Sequence, residues 1–336
     1  MRDSLRLDTL RGLTCLLLVL FHVVGSEPTS GLRVADGALR TFNDALCYVR
    51  MPLFTFLSGL VYGLRPCTGD GRAFLGGKAR RLLVPMLFVG TLFAILQSAL
   101  PATNFGADGA GHRDWWLLHV EPVGHFWFVE ALFWIFLLVW ALERRQLLAT
   151  PGRFALVWLA AALADVVLRG PRWLALDGAL FLLPHFLAGL AVSRFGLAVR
   201  LETAWMRALC LAAAAAAIVQ LGMPAPNPDR HGAWILLAGT ALCALAAGTR
   251  IESPWLARIG ASSYAIYLFH VFFTAGSRVA LTGAGVTALS VQIAAGVAAG
   301  IAGPIQLEAW ASRIAGLRTL LLGQPLQARA APAEAA

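Results

Sequence analysis

A chain of 336 residues in which 59% of side chains are hydrophobic and 13% charged, with mean hydropathy +0.71, is far outside the range of water-soluble domains. The formal net charge of +9 would raise nucleic-acid binding in a soluble protein, but here the basic residues segregate by loop and form no single footprint. Composition therefore excludes a soluble enzyme or a nucleic-acid module and points to an all-α integral membrane protein.

Ten apolar stretches follow in chain order: 10–26, 45–64, 82–100, 124–142, 154–168, 174–193, 205–222, 233–248, 261–281 and 286–306. A span needs about 20 residues, so a bundle of about ten transmembrane helices is expected, with 154–168 the shortest. Arg2 and Arg6 before the first stretch give it the look of a secretory signal, but the later spans and its own ionisable residues argue that it is retained. If the spans alternate from a cytoplasmic N-terminus, 18 of the 27 basic residues fall in inner segments and 6 in outer loops, namely Arg33, Arg40, Arg113, Arg169, Arg172 and Arg230. That asymmetry places both termini inside. Residues 323–336, ending in QPLQARAAPAEAA, read as a disordered cytoplasmic tail. The five cysteines have no disulfide or zinc spacing, and no His, Cys or acidic grouping has metal-ligand spacing, so no metal is expected.

The first span, DTLRGLTCLLLVLFHVVG, carries Arg11 and His22. Eleven residues at about 100° each make three turns plus roughly 20°, so both side chains share one face, about 16 Å apart along the axis. Ionisable groups at membrane depth are costly, and a functional role is their default reading. Arg11 also has a bland one, snorkelling to the inner headgroups beside Asp8. The second span, CYVRMPLFTFLSG, enters from outside and puts Arg50 about 8 Å deep, with Pro52 expected to disturb the helix just after it. The fourth, GHFWFVEALFW, carries His125 at its start and Glu130 about 9 Å deep. His22, counted across a core about 30 Å thick, lies about 12 Å from the same outer surface. Asp177, early in the sixth span, has similar depth. In the ninth, Gly260, Ser263, Tyr267 and His270 follow helical spacing and form one face. An outer cavity lined by Arg50, Asp177, Ser263, Tyr267 and His270 beside His22 and Glu130 is the expectation. His112, His119 and His231 read as solvated loop residues, and His185 and His270 as structural bonds inside the bundle, His270 staying a secondary candidate because Ser263 and Tyr267 continue its face. Before the third span, KARRLLVP concentrates Lys78, Arg80 and Arg81, which serve either as inner anchors or as a dock for a polyanionic cytosolic ligand.

Four segments in this order resemble the membrane-bound acyltransferase 3 family: LDTLRG, which contains Arg11, with His22 eleven residues after that arginine; MPLFTFLSG; KARRLLVP; and GASSYAIYLFH. The likeness runs from about residue 5 to residue 310. It implies an acyltransferase-like transmembrane domain over 1–322 and transfer of an acyl group, commonly acetyl from acetyl-CoA, to a hydroxyl of a cell-envelope carbohydrate. Bacterial inner membrane is the implied location, and acyl-CoA is a donor substrate rather than a resident cofactor. By resemblance, Arg11 and His22 are the residues most tied to activity. Lys78, Arg80 and Arg81 correspond to the basic pair tied to the CoA end of the donor, and Glu130 falls where many members have a glutamate. Members with an appended outer hydrolase-like domain exist; here acyl handling is expected within the membrane domain.

Phosphates held near Arg80, Arg81 and Arg11 would let an extended pantetheine arm bring the thioester toward His22. His22 then serves as general base, since an ordinary imidazole titrating near 6.5 suits proton abstraction at neutral pH. Glu130 or Asp177 would orient its second nitrogen, and Arg50, Tyr267 or backbone N–H groups would stabilise the oxyanion. A covalent acyl-histidine route stays open beside direct transfer, as do acetyl against succinyl donors and the acceptor glycan. A secondary transporter or glycan flippase is the competing reading; it fits buried charges and Pro52 or Pro184 breaks, but no internal repeat supports it.

Overall fold

The computed structural model describes residues 2–67, 69–99, 115–221 and 230–326, with side chains from residue 4. Among them the chain is helical throughout, and no strand occurs. The helices are α1 (Arg2–Val24), α2 (Ala38–Ala45), α3 (Arg50–Leu64), α4 (Gly71–Ala99), α5 (Trp127–Arg144), α6 (Pro151–Val167), α7 (Leu176–Arg194), α8 (Ala198–Leu201), α9 (Ala204–Leu221), α10 (Ala233–Ala247), α11 (Pro254–Ala261), α12 (Ser263–Gly283), α13 (Leu289–Ala311) and α14 (Ala315–Leu322). Eight helical stretches are long and apolar enough to cross a membrane. Every expected span coincides with a helix, but α6 and α10, at 17 and 15 residues, fall short of that length. The protein is thus a multi-pass membrane protein with eight full-length candidate spans where ten were expected. Residues His112 and Arg113 and the tail from 327 lie outside the described residues.

Lipid gives apolar helices little reason to associate, so close backbone packing carries much of the fold. Two crossings show this. A Cβ on Gly59 of α3 would lie 2.0 Å from the Phe186 carbonyl oxygen, and one on Gly189 of α7 would lie 1.9 Å from that of Phe56. Likewise a Cβ on Gly12 of α1 would meet the Leu256 carbonyl oxygen at 1.9 Å, and one on Gly260 of α11 that of Asp8 at 1.9 Å. The glycines let α3 lie on α7 and α1 on α11 at backbone contact, which fixes the height of the neighbouring Arg11.

The ninth expected span is broken. α11 ends at Ala261 and α12 begins at Ser263, across a non-helical Ser262. Gly260 therefore belongs to the helix packed on α1, while Ser263, Tyr267 and His270 remain on one face of α12. Pro52 sits in the first turn of α3, where its missing N–H costs little, and α7 runs unbroken through Pro184.

Near the α1 N-terminus, Glu202 gathers two guanidinium groups: Arg6 Nη1 lies 2.7 Å from Oε1 and Arg250 Nη2 2.8 Å from Oε2. The hydrogen bond from Arg6, then that from Arg250, holds the Glu202 carboxyl below its ordinary 4.5. A depressed carboxyl stabilises the fold above its unfolded value, and that stabilisation is lost as pH falls through the folded value. The thermal midpoints of the native protein and Glu202→Gln are therefore expected to differ at neutral pH and to converge as the pH drops below 4.5. A midpoint difference that persists in acid would contradict this.

Candidate active site

The face of α1 that carries Arg11 and His22 borders two cavities, one at each end. Arg11 lines a cavity of about 700 Å³ with Lys78, Arg80 and Arg81. Four cations face it against one carboxylate, Glu308, among the described residues. Arg11 is also paired with Asp8 at 2.9 Å, so the anchoring role and the cavity role coexist. Lys78 Nζ lies 3.7 Å from the Phe136 ring centroid, Arg80 Nε donates to the Gly323 carbonyl at 3.4 Å, and the Arg81 guanidinium lies 5.7 Å from the Tyr264 ring. The Tyr264 hydroxyl donates to the Arg81 carbonyl oxygen. These contacts hold the α4 cations at the rim. Gly323, Gln324 and Pro325 also line this cavity.

His22 lines the second cavity, of about 440 Å³, with Asp44, Arg50, His125, Trp127 and Arg230. Tyr267 lines both cavities. Around it three imidazoles from different elements form a cluster. Ring centroids are 4.8 Å apart for His22 and His270, 4.9 Å for His125 and His270, and 5.9 Å for His22 and His125. His270 Nδ1 stands 2.9 Å from both the Ile266 and Tyr267 carbonyl oxygens. Carbonyls only accept, so Nδ1 carries the proton and Nε2 holds the lone pair. That Nε2 is buried and has no hydrogen-bond partner among the described residues. His125 Nε2 similarly faces the Leu268 carbonyl at 3.4 Å. An imidazole with a fixed tautomer beside a cavity-facing imidazole is chemically able to exchange a proton with it.

A family model described as an acyltransferase domain, that of the acyltransferase 3 family, matches residues 4–308. The chain belongs to the acyltransferase 3 family. No curated protein and no solved structure matches it. Membership supports the first of the readings the sequence left in competition, a membrane acyltransferase.

Within this acyltransferase the expected single outer cavity divides. His22 and Arg50 line the smaller cavity and Ser263 the larger, while Tyr267 separates them. His270 lies behind His22 and is fully buried. The Tyr267 hydroxyl donates to the His125 carbonyl oxygen, so its one proton is already committed and is withdrawn from the oxyanion role expected of it.

Glu130 departs furthest from expectation. It lines neither large cavity but a crevice of about 10 Å³ with Met86, His119 and Phe126. Phe128, Leu132 and Phe136 of α5 face the larger cavity. Glu130 is two residues from Phe128, hence rotated about 200° from it. Glu130 therefore lies off the wall that His22 lines.

Asp177 also lines neither cavity. It belongs with His231, expected in solvent but buried, and with Asp165 at the end of α6. His231 Nδ1 is 2.7 Å from Asp165 Oδ1, and its Nε2 is 3.1 Å from Asp177 Oδ1. The cluster ties α6, α7 and the segment before α10 together and sets Arg230 at the mouth of the smaller cavity. Removing one member of a buried ionic group costs about 3–5 kcal/mol. Asp165→Ala should therefore lower the thermal midpoint in detergent sharply, and Asp165→Asn less, since its amide oxygen still accepts from His231. Equal midpoints for all three proteins would make the cluster energetically idle.

His119, a second of the three histidines expected in solvent, shares a 2.9 Å hydrogen bond with Thr91 Oγ1. His185, read as structural, has Nδ1 3.2 Å from the Phe181 carbonyl oxygen. Sequence reasoning gave no site role to His125, to Arg230 or to the Arg40–Asp44 pair, whose closest contact is 2.7 Å. His125 had a usable signal, its place at the start of the fourth span, the end on the same outer side toward which His22 lies.

Proposed function

We propose that this acyltransferase moves an acetyl group from acetyl-CoA to a hydroxyl of a cell-envelope carbohydrate, across a bacterial inner membrane in which the Arg11 cavity faces the cytosol. The observation that carries the reading is Tyr267, one side chain shared by the walls of a basic cavity and a histidine cavity. The distance fits: Arg11 and His22 are eleven residues apart on one helix, about 16 Å by the helical rise, near the reach of an extended pantetheine arm.

In this reading Arg80, Arg81 and Lys78 take the phosphates of the donor, where guanidinium forks suit bidentate contact. The thioester passes Tyr267 to reach His22. His22 removes the proton from the acceptor hydroxyl as its oxygen attacks the thioester carbonyl carbon. The carbon–sulfur bond then breaks, the thiolate of CoA leaves with the proton held by His22, and the ester stays on the sugar. His270 takes the orienting place expected of Glu130: its Nε2 lone pair is unspent, its ring centroid stands 4.8 Å from that of His22, and a small ring rotation would let it accept the second N–H of His22 and leave the other nitrogen basic toward the cavity. A neutral acceptor in this position fixes the tautomer without adding a carboxylate to the membrane interior.

The test is transfer of radiolabel from acetyl-CoA, with succinyl-CoA in parallel, to envelope glycan in membranes that carry the native chain. Label in glycan from acetyl-CoA alone supports the reading. Label from succinyl-CoA alone replaces the donor, and label in protein or lipid alone replaces the acceptor.

A further inference from the structure

The smaller cavity holds a cation to which the described residues supply no carboxylate partner. Arg50 is 3% exposed, and its guanidinium has no carboxylate at ion-pair distance among the described residues. It makes one long hydrogen bond, 3.4 Å to Asn43 Oδ1, and lies 3.7 Å from the Phe21 ring centroid. A guanidinium has five N–H donors, so most of its capacity is unspent where it borders the cavity. The nearby carboxylate is committed elsewhere: Asp44 is held by Arg40 at 2.7 Å, and Arg40 also donates to the Gly25 and Ser26 carbonyl oxygens at 3.1 Å each.

Position sharpens the imbalance. Arg50 is the first residue of α3, the end of a helix where the backbone dipole is already positive and where an acidic residue is the stabilising choice. A second guanidinium, Arg230, lines the same cavity, 4.8 Å over the Trp127 ring and 3.9 Å from Asp177. A buried cation on a positive helix end, with another cation across a cavity, is a poor arrangement for an empty pocket and a good one for an anion.

We propose that the smaller cavity is an anion site in which Arg50, with Arg230 at its mouth, selects an acceptor sugar that carries a carboxylate or phosphate beside the hydroxyl to be acylated. The identity of the occupant as acceptor rests on the acyl-transfer reading; the charge of the occupant does not. Arg50 places the anionic group, and the neighbouring hydroxyl is thereby presented to His22.

The test is binding of methyl glucuronide, glucose 1-phosphate and methyl glucoside to the purified full-length protein in neutral detergent. Saturating CoA is present to fill the other basic cavity. At least one anionic probe is expected to bind about tenfold or more tighter than the glucoside, the range of one charge-assisted contact, and which one it is distinguishes carboxylate from phosphate. Arg50→Gln should abolish the preference and Arg230→Gln should weaken it. Equal affinity for all three probes, or a preference that survives Arg50→Gln, overturns the proposal.

Should Arg50→Gln fail to fold, the native protein supplies a second measurement. Radiolabelled product retained on an anion exchanger after delipidation supports the site, and label in the flow-through overturns it. If Arg50→Gln lowers kcat while acceptor discrimination is unchanged, Arg50 serves the oxyanion and the proposal also fails. Absence of any transfer by the native protein would sink the acyl-transfer reading alone and leave the binding result to stand or fall by itself.

Discussion

His22→Ala should lower acyl transfer by about 10²–10⁴-fold at unchanged protein level, the usual loss on deleting a general base. The informative companion is His270→Phe, which keeps a ring in the fully buried space behind His22 and removes the Nε2 acceptor. It should cost about 10–100-fold and change the pH profile, because His22 is then free to take either tautomer. His270→Gln should recover part of that loss, since its amide oxygen can accept. In the double variant His22→Ala with His270→Phe, the second change should add almost nothing, as for residues that act as one unit. Glu130→Gln, changed in its separate crevice on the far face of α5, should stay within about threefold of native. If Glu130→Gln instead falls as far as His22→Ala while His270→Phe is near native, the carboxylate read from the sequence orients His22 and the imidazole does not.

The contrast between Glu130 and His22 shows which part of a membrane site a sequence encodes openly. Height along a span is additive, so eleven residues from Arg11 to His22 fix both their separation and their common face. Those two side chains indeed border the two cavities. The same holds for the basic cluster before the third span, because a loop end and its charge are local properties. Direction around a helix toward a particular neighbour is not local. Arg50, Glu130 and Asp177 read at a similar depth from the sequence, but where each points follows from how α3, α5 and α7 are rotated against their partners. Gly59 and Gly189 decide that for α3 and α7 by a contact invisible without both helices in view. His231 is a loop residue by hydropathy, and only the approach of α6 to α7 turns it into the buried link between Asp165 and Asp177. The break at Ser262 was likewise hidden, since GASSYAIYLFH reads as one apolar run and nothing in it marks that Gly260 is needed against Asp8.

The second large effect is expected at the other cavity. Arg80→Gln and Arg81→Gln together should raise the KM for acetyl-CoA by about 10–100-fold, the loss of one or two charge-assisted contacts to phosphate, and leave kcat within about threefold. Both arginines are exposed at the rim of the larger cavity, so the change removes charge without emptying a packed core. A structural fault and a binding fault are separated by substrate: S-acetylpantetheine keeps the thioester and lacks the nucleotide and diphosphate. The native enzyme should strongly prefer acetyl-CoA, while the double variant should use the two donors almost alike because the contacts that distinguish them are gone. Lys78 is the sterner case, since its ammonium lies against Phe136 as well as the cavity. Lys78→Gln should therefore impair both donors in part, through lost cation–π packing, and acetyl-CoA more than S-acetylpantetheine. An equal fall in both donors for all three variants would return KARRLLVP to the anchoring role that any inner loop plays, and would leave the donor to be held by Arg11.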